Sequence, residues 1–384
     1  MKTSSPHRVA AIDVFRALTM FLMLFVNDIP GLKNIPHWLQ HAQATEDMLG
    51  FSDTIFPAFL FCMGMSVSLA IQNRYRKGDT TSQVIMHIFW RTVALVAMGV
   101  FTVNSSGVEG LSHQWFSIIM VVGFFLVWGV YPKASGRRKW LFTAMKIAGI
   151  GLLAFLVIYK GMNGAPFRQQ WWGILGLIGW TYAICAAVYL FTRESLMWNG
   201  LVWVAFIVLS LLNHAGRLPL PFLPSDMTLH AFGMAGVVVS LLMQKYADGR
   251  HPGRFIGTLC TLGVVMLVAA FVSHPVWIIS KIQATPTWFF FCMAAFFPAF
   301  AFFYWLTDVK GKASWFDMIK PAGTATLTCY VLPYLWYAVQ QLLGLHYPAV
   351  LGSGVPGLLK SAVFSLVIIV ITGVLVRMKI KLKV

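Results

Sequence analysis

Long apolar stretches alternate with short polar connections along the whole chain. Twelve such stretches can be drawn, each close to the roughly 20 residues that a helix needs to cross a bilayer. They cover residues 9–28, 54–73, 84–103, 115–131, 140–159, 171–191, 198–213, 228–246, 255–273, 287–306, 321–343 and 357–377. The pattern therefore predicts about twelve transmembrane helices in a single domain over residues 1–384.

Composition favours a membrane protein of the helical type. Hydrophobic residues make up 58% of the chain and charged residues 11%, whereas a soluble domain carries about 25% charged residues. The apolar stretches lack the alternation of polar and apolar positions that marks barrel strands. The first stretch has no small-residue cleavage site and is interpreted as a retained helix, not a signal peptide. The predicted fold class is an all-α polytopic membrane protein.

The basic residues are distributed unevenly between alternate connections. The formal net charge is +17, and with the N-terminus in the cytoplasm the cytoplasmic connections hold 20 Lys and Arg residues against 5 opposite. Such a bias is typical of membrane proteins, whose cytoplasmic loops are rich in Lys and Arg. We therefore expect both termini to be cytoplasmic, with membrane lipid and not nucleic acid as the partner. No organelle-targeting signal is evident, so we expect a bacterial inner membrane.

Four ionisable residues lie within the cytoplasmic halves of two predicted helices. Arg16 and Arg91 each lie seven residues inside their stretch, about 10 Å deep. Asp13 precedes Arg16 by three positions and His87 precedes Arg91 by four, so each pair shares a helix face. Because guanidinium groups bind phosphate through two hydrogen bonds, the two arginines predict an anion site. The alternative is structural: Arg16 pairs with Asp13, and both arginines extend to the surface.

A second group of polar residues lies where the first stretch ends and the second begins. Asn27 ends the first stretch, Asp53 begins the second, and His41 lies on the loop between them. A neutral imidazole oriented by a carboxylate is a suitable general base, and it is also a possible nucleophile. The alternative is that His41 is a solvent-exposed loop histidine. Three further polar residues of this loop are interpreted as exposed: His37, Glu46 and Asp47.

The remaining candidate groups do not predict a reactive site. The five cysteines lie in apolar stretches without CxxC spacing and are interpreted as buried apolar side chains, so no metal site is predicted. No HExxH, P-loop or GxSxG motif occurs. Lys146 and Lys360 lie near the ends of predicted helices and are expected to extend to the membrane surface.

Several segments together resemble the family of heparan-alpha-glucosaminide N-acetyltransferase and its bacterial relatives, within the wider group of transmembrane acyltransferases. The matching segments are IDVFRALTMFLMLFVN (12–27), His41-Ala42, SDTIFPAFLFCMG (52–64), WRT (90–92) and DVKG (308–311), in the family's order. The first hundred residues match most specifically. The middle, about 130–225, matches poorly and is expected to add two helices to the family's ten.

The resemblance implies a transmembrane acyltransferase fold that transfers acetyl from cytoplasmic acetyl-CoA to an amino sugar such as glucosamine on the far side. It implies three catalytic residues: the family's catalytic histidine falls on His41, its active-site asparagine on Asn27, and its aspartate before Phe-Pro on Asp53. Acetyl-CoA is a donor substrate here, and its phosphates are expected near Arg16, Arg91 and His87. The sequence departs from the family after His41-Ala42, where QATEDMLGF replaces a tryptophan-containing segment, so the acceptor is not fixed.

Two other classes of function are alternatives to the enzyme. Twelve helices with both termini inside are also typical of a sugar permease, which needs a substrate site at the midplane. Here the polar groups cluster near the two membrane faces, which favours the enzyme. A non-catalytic scaffold would not require two arginines at matched depth. The sequence leaves the oligomeric state open, and a homodimer is compatible with it.

Overall fold

A computed structural model describes residues 9–132, 135–219, 226–246 and 251–384, and every regular element in these ranges is a helix. The helices are α1 Ala10–Asp28, α2 Ser52–Arg76, α3 Thr81–Val103, α4 His113–Trp128, α5 Arg137–Met162, α6 Gly173–Thr192, α7 Leu196–His214, α8 Met227–Tyr246, α9 Pro252–Ser273, α10 Pro286–Tyr304, α11 Lys320–Thr324, α12 Thr326–Leu342 and α13 Gly354–Arg377. Four of the basic residues counted for topology lie outside the described residues: Lys2, Arg8, Lys133 and Arg250. The C-terminus of α1 lies at one end of the helix bundle, which we call the outer end.

Each of the twelve predicted stretches contains a helix, which confirms an all-α polytopic membrane protein. Within the described residues, ten helices are long and apolar enough to cross a bilayer. The other three are shorter: α4 has 16 residues, α12 has 17 and α11 has five. At 1.5 Å per residue α4 and α12 are about 24–26 Å long, slightly less than a hydrocarbon core of about 30 Å.

The prediction of one continuous helix over 321–343 is wrong. The helix is interrupted at Ala325, whose φ of −130° and ψ of 46° are not helical, so that α11 and α12 are separate. The carbonyl oxygen of Gly323 instead accepts a hydrogen bond from Arg16 Nη1 at 3.1 Å. A Cβ atom at Gly323 would lie 2.7 Å from the Asp13 carbonyl oxygen, so only glycine permits this approach to α1. The interruption therefore arises from a tertiary contact that hydropathy does not report.

The core of the bundle is centred on α8. In its 18-residue apolar segment, 94% of the residues are buried. Its closest neighbour is α2, and the two helices approach through glycine. A Cβ atom at Gly64 would overlap the Gly233 carbonyl oxygen, and one at Gly236 would overlap the Phe61 carbonyl oxygen. Close backbone approach through small residues is a common way of packing membrane helices, because apolar side chains gain little by leaving lipid.

Aromatic rings join α1 and α10 to this core. The buried ring of Phe61 on α2 lies edge-on to Phe15 of α1 at 6.2 Å and to Phe297 of α10 at 6.0 Å. Phe15 in turn meets Phe300 of α10 at 5.7 Å. Such edge-to-face pairs stabilise packing beyond simple burial. These contacts fix α1, α2 and α10 relative to one another, and these helices carry or flank candidate site residues.

We predict that Gly64→Ala destabilises the protein by about 1–3 kcal/mol, because the added methyl group must push α2 away from α8. Gly151→Ala on α5 is the matched control, since a Cβ atom there meets nothing within 4 Å and alanine favours helix by about 1 kcal/mol. Thermal unfolding in detergent measures both. Equal melting temperatures for the two variants would contradict the proposed close contact.

Candidate active site

Arg16 of α1 and Arg91 of α3 line one cavity of about 150 Å³, which we call the arginine cavity. The cavity lies between α1, α2, α3, α6 and α12, and the side chains of Met20, Met23 and Leu95 supply part of its apolar wall. The Nε atoms of both arginines are buried and have no hydrogen-bond partner within the described residues. Buried, unpaired donors facing a cavity are suited to an anionic ligand.

Each arginine is also held by a protein contact. Arg16 Nη2 lies 3.4 Å from Asp13 Oδ1, so the ion pair foreseen as the structural alternative does form. It leaves Nη1 on the Gly323 carbonyl oxygen and Nε without a partner. The Arg91 guanidinium lies over the Tyr182 ring, 4.5 Å from its centre. These contacts orient both side chains without saturating their donors.

His87 is half-buried on α3, one turn before Arg91, and is outside the lining of the arginine cavity. The positive charges of Arg74, Arg91 and Lys383 act on its imidazole, and so does the negative charge of Asp79, which pairs with Arg74 at 2.6 Å. Arg91 and Lys383 therefore leave positive charge beside the arginine cavity, which would raise the local concentration of anions there.

The carboxylate of Asp53 is the centre of the outer group of residues. Asp53 is 2% exposed and lies in the first turn of α2. Its Oδ1 is 2.6 Å from His41 Nδ1, and its Oδ2 accepts the Ala42 backbone N–H at 2.9 Å. Hydrogen bonds to two donors compensate for removing the charge from water. We call His41, Asp53 and Lys281, described below, the outer site.

The loop before α2 is folded so that His41 reaches Asp53. Ser52 Oγ donates to the Leu39 carbonyl oxygen at 2.6 Å, and the Phe51 N–H donates to the Trp38 carbonyl oxygen at 2.7 Å. A Cβ atom at Gly50 would overlap the Gln40 carbonyl oxygen and lie 2.9 Å from Asp53 Oδ2. Glycine at this position therefore allows the backbone to pass directly beside the carboxylate.

The two nitrogens of His41 have different surroundings. Because an ionised carboxylate only accepts hydrogen bonds, Asp53 selects the tautomer with the proton on Nδ1. Nε2 then carries the free lone pair, and it has no hydrogen-bond partner within the described residues. The side chain is 39% exposed. The imidazole is thus oriented to accept a proton or to act as a nucleophile at Nε2.

Lys281, on the connection between α9 and α10, is a member of the site that the sequence did not reveal. Its Nζ lies 3.5 Å from Asp53 Oδ1 and 3.2 Å from His41 Nδ1. Burial lowers the pKa of Lys281, and the neighbouring Asp53 carboxylate offsets part of that shift. Sequence spacing offers no signal for this contact, because Lys281 and His41 are 240 positions apart.

The loop that carries Lys281 is fixed to the His41 loop by Asp47. Its carboxylate accepts the Ile279 backbone N–H at 2.8 Å and lies 2.8 Å from His274 Nε2. The Ile279 hydrogen bond and the His274 contact lower the pKa of Asp47. Asp47 is exposed, as expected, but it also positions the loop that carries Lys281. The other two residues of the His41 loop expected to be exposed, His37 and Glu46, form a partly exposed pair at 3.3 Å.

Asn27 lies at the outer end of α1 and lines a separate cavity of about 420 Å³, which we call the outer cavity. No hydrogen bond within the described chain joins Asn27 to His41, and His41 is not among the residues that line the outer cavity. Pro30, which also lines the outer cavity, begins the loop that carries His41. Ile174 and Tyr330 line both the outer and the arginine cavity, so the two cavities adjoin along α1.

Both ends of α1 are held by carboxylates that sequence reasoning missed. At the outer end, Asp28 pairs with Lys360 of α13 at 2.6 Å and accepts the Tyr337 hydroxyl of α12. The prediction that Lys360 extends to the membrane surface is therefore wrong, because a buried partner holds its ammonium. At the other end, Asp308 accepts the N–H groups of Ala10 and Ala11 at 3.0 and 2.8 Å.

The contact of Asp308 explains a motif that sequence alone left without a role. Asp308 begins the DVKG segment and lies in a π-helical turn, Trp305–Val309, at the end of α10. Its carboxylate caps the first unsatisfied N–H groups of α1, an arrangement that stabilises a helix start. The segment thus fixes the depth of α1, and with it the position of Arg16 in the arginine cavity.

Comparison with known proteins identifies a family and two relatives of this chain. The model of a family described as a domain of unknown function, DUF5009, matches residues 8–217. The chain is 24% identical to the heparan-alpha-glucosaminide N-acetyltransferase of Mus musculus over 376 residues, covering 86% of this chain and 54% of that protein. It is 31% identical to the Homo sapiens protein of the same name over 99 residues, covering 26% and 14%. The chain spans about half the length of the mouse relative, and the resemblance noted from the motifs is confirmed.

We predict that Asp53→Asn lowers the pKa of Lys281 further, because the substitution removes the negative charge that stabilises the ammonium form. The isosteric amide keeps the shape of the side chain. Labelling with acetic anhydride at a series of pH values, read by mass spectrometry, should show Lys281 becoming reactive at lower pH in the variant. Exposed Lys33 is the internal control and should be labelled to the same extent in both proteins. An unchanged Lys281 profile would contradict the assigned contact.

Proposed function

The chain belongs to the DUF5009 family, and from that kinship and its two sites we propose that it is a transmembrane acetyltransferase. It transfers the acetyl group of cytoplasmic acetyl-CoA to the amine of glucosamine, or of a terminal glucosaminide, on the outer side of the membrane. The observation that carries the proposal is the pair of adjoining cavities along α1, with Arg16 and Arg91 at one end and Asn27 at the other. Its named relatives are N-acetyltransferases.

The donor end is assigned to the arginine cavity. Coenzyme A carries phosphates at one end and the thioester at the other, so it requires a positive site joined to a long apolar path. Arg16 and Arg91 bind the phosphates, and His87 lies in the positive region beside them. The arm extends past Met20 and Met23 towards Asn27, which is eleven residues beyond Arg16, or about 16 Å of helix.

The acyl transfer takes place at the outer end. The amine nitrogen of the sugar attacks the thioester carbonyl carbon, the new C–N bond forms, and the C–S bond breaks. Asn27 donates a hydrogen bond to the carbonyl oxygen as negative charge develops on it. His41 Nε2 takes the proton that the amine loses, and the departing thiolate of coenzyme A is protonated in turn. Asp53 keeps His41 in the required tautomer and stabilises the imidazolium.

Direct transfer is favoured over a covalent acetyl-histidine. A ternary complex requires a single alignment of thioester, amine and base. In the covalent alternative, His41 Nε2 attacks the thioester first and coenzyme A departs before the sugar binds. The two routes differ in one observable: only the covalent route releases coenzyme A in a single turnover without acceptor.

The orientation belongs to the same proposal. The excess of Lys and Arg in alternate connections supports cytoplasmic termini, which would place the arginine cavity towards the cytoplasm and the outer site on the far side. We propose an integral protein of a bacterial inner membrane, surrounded by lipid, with acetyl-CoA and an amino sugar as its substrates. A homodimer is compatible with this arrangement.

Arg91→Ala should weaken acetyl-CoA binding by about 1.5–3 kcal/mol, because a charge-assisted phosphate contact is lost. Arg193→Ala is the matched control, since Arg193 also lies over a tyrosine ring, that of Tyr75 at 4.7 Å, but does not line the arginine cavity. Calorimetry on the detergent-purified proteins measures both affinities. Equal affinities in the two folded variants would remove Arg91 from the donor site.

His41→Ala should reduce N-acetylation of glucosamine by about 10²–10⁴-fold, the usual contribution of a general base, and leave acetyl-CoA binding intact. His37→Ala, on the same loop and paired only with Glu46, should retain activity. Turnover and calorimetric binding of acetyl-CoA separate the two effects. Near-normal acetylation by the His41 variant would make the assignment of His41 as the base wrong.

A further inference from the structure

The outer cavity differs in chemistry from the arginine cavity that it adjoins. Among the described residues that line it, none carries a charge; aromatic, amide and hydroxyl groups form much of its wall. These groups come from three helices, α1, α3 and α12, and from the connection before α6. The side chains that matter for recognition are those of Asn27, Gln170, Trp171, Tyr334 and Tyr337. A volume of about 420 Å³ is within the range of small-molecule sites.

We infer that the outer cavity binds the hexose ring of the acceptor, with Trp171 as the surface on which the ring stacks. This inference rests on the proposed function and adds an acceptor site to it. A pyranose ring presents C–H groups on its faces and hydroxyl groups around its edge. It is therefore matched by aromatic faces together with neutral hydrogen-bonding groups, which is the composition of this wall.

Trp171 is exposed although it is large and apolar, and its backbone is held in place. The residue is 53% exposed. It lies between Gln170 and Trp172, whose φ values of 47° and 68° are unusual for residues other than glycine. Gln170 Nε2 donates to the Val103 carbonyl oxygen at 2.9 Å, and a Cβ atom at Gly99 would overlap the Trp172 carbonyl oxygen. Strained backbone that is fixed by its surroundings is characteristic of ligand sites.

The connection that carries Trp171 is also attached to Asn104, at the end of α3, and a buried ammonium from α5 holds the same segment. Lys160, 2% exposed, donates to the carbonyl oxygens of Asn104 at 2.6 Å and Ser106 at 2.8 Å. The Asn104 side chain donates to the Arg168 carbonyl oxygen at 2.8 Å and accepts the Arg168 N–H at 3.2 Å. The position of Trp171 is therefore set before any ligand binds, which lowers the entropic cost of binding.

The neutral wall also suits the chemistry of an amine nucleophile. A carboxylate in the cavity would form an ion pair with the sugar ammonium and oppose loss of its proton. None lines the cavity among the described residues. The ring is placed beside Asn27, where the cavity adjoins the arginine cavity at Ile174 and Tyr330, and beside Pro30, where the His41 loop begins. In this arrangement the acceptor meets the donor at Asn27, and the loop that carries the base, His41, leaves α1 beside the same cavity.

The test compares Trp171→Ala and Trp171→Phe with Trp115→Ala. Trp115 is 52% exposed in the first turn of α4 but does not line the cavity, which makes it a matched control. We expect the KM for glucosamine to rise about tenfold in Trp171→Ala and less in Trp171→Phe. Trp115→Ala should keep the wild-type KM and turnover, and all three variants should keep the wild-type affinity for acetyl-CoA. An active Trp171→Ala protein with a normal KM for glucosamine would overturn the inference.

A binding measurement separates this inference from the proposed function. Saturation-transfer NMR with glucosamine and N-acetylglucosamine detects ring contacts without requiring turnover. Signals present in the wild-type and Trp115→Ala proteins but weakened in both Trp171 variants support the cavity, even if the wild type acetylates nothing. Signals of equal strength in all proteins, or none in the wild type, would overturn it, even if acetylation occurs.

Discussion

The buried carboxylate of Asp53 is the constraint on which the outer end of the molecule depends. A buried carboxylate without partners would lower the stability of the fold by several kcal/mol, so the surrounding chain must supply hydrogen-bond donors or positive charge. They come from two connections, through His41, Ala42 and Lys281. Because these connections are distant in sequence, Asp53 joins them into one site, and Asp47 strengthens the same junction through Ile279. The orientation of the imidazole follows from this charge and not from the loop alone.

A second constraint acts on α1, the helix along which both cavities lie. Asp308 caps its first turn, and Asp28 pairs with Lys360 at its last. With both ends fixed, the separation between Arg16 and Asn27 is set by helix geometry, so an elongated ligand meets its charged and reacting ends at fixed places. The contact of Arg16 with Gly323 couples this arrangement to the interruption between α11 and α12.

Local patterns predicted the parts of this structure that depend on local forces. Hydropathy located the helices, since burial in lipid acts on each stretch separately. His41 and Asp53 were expected to lie close together because a short stretch of loop leads from His41 to the start of α2. Contacts between distant segments were not predictable from spacing: Lys281 beside His41, or Lys360 on Asp28. The interruption at Ala325 was missed for the same reason, because it follows from the approach of Gly323 to α1.

Transfer across the membrane is the central claim, and sealed vesicles test it most directly. The purified protein is reconstituted with acetyl-CoA enclosed inside and glucosamine added only outside, so that the random orientation of the protein does not matter. The account predicts N-acetylglucosamine in the external medium, with an equal amount of free coenzyme A retained inside. Product that forms only when both substrates are on the same side of the membrane would contradict it.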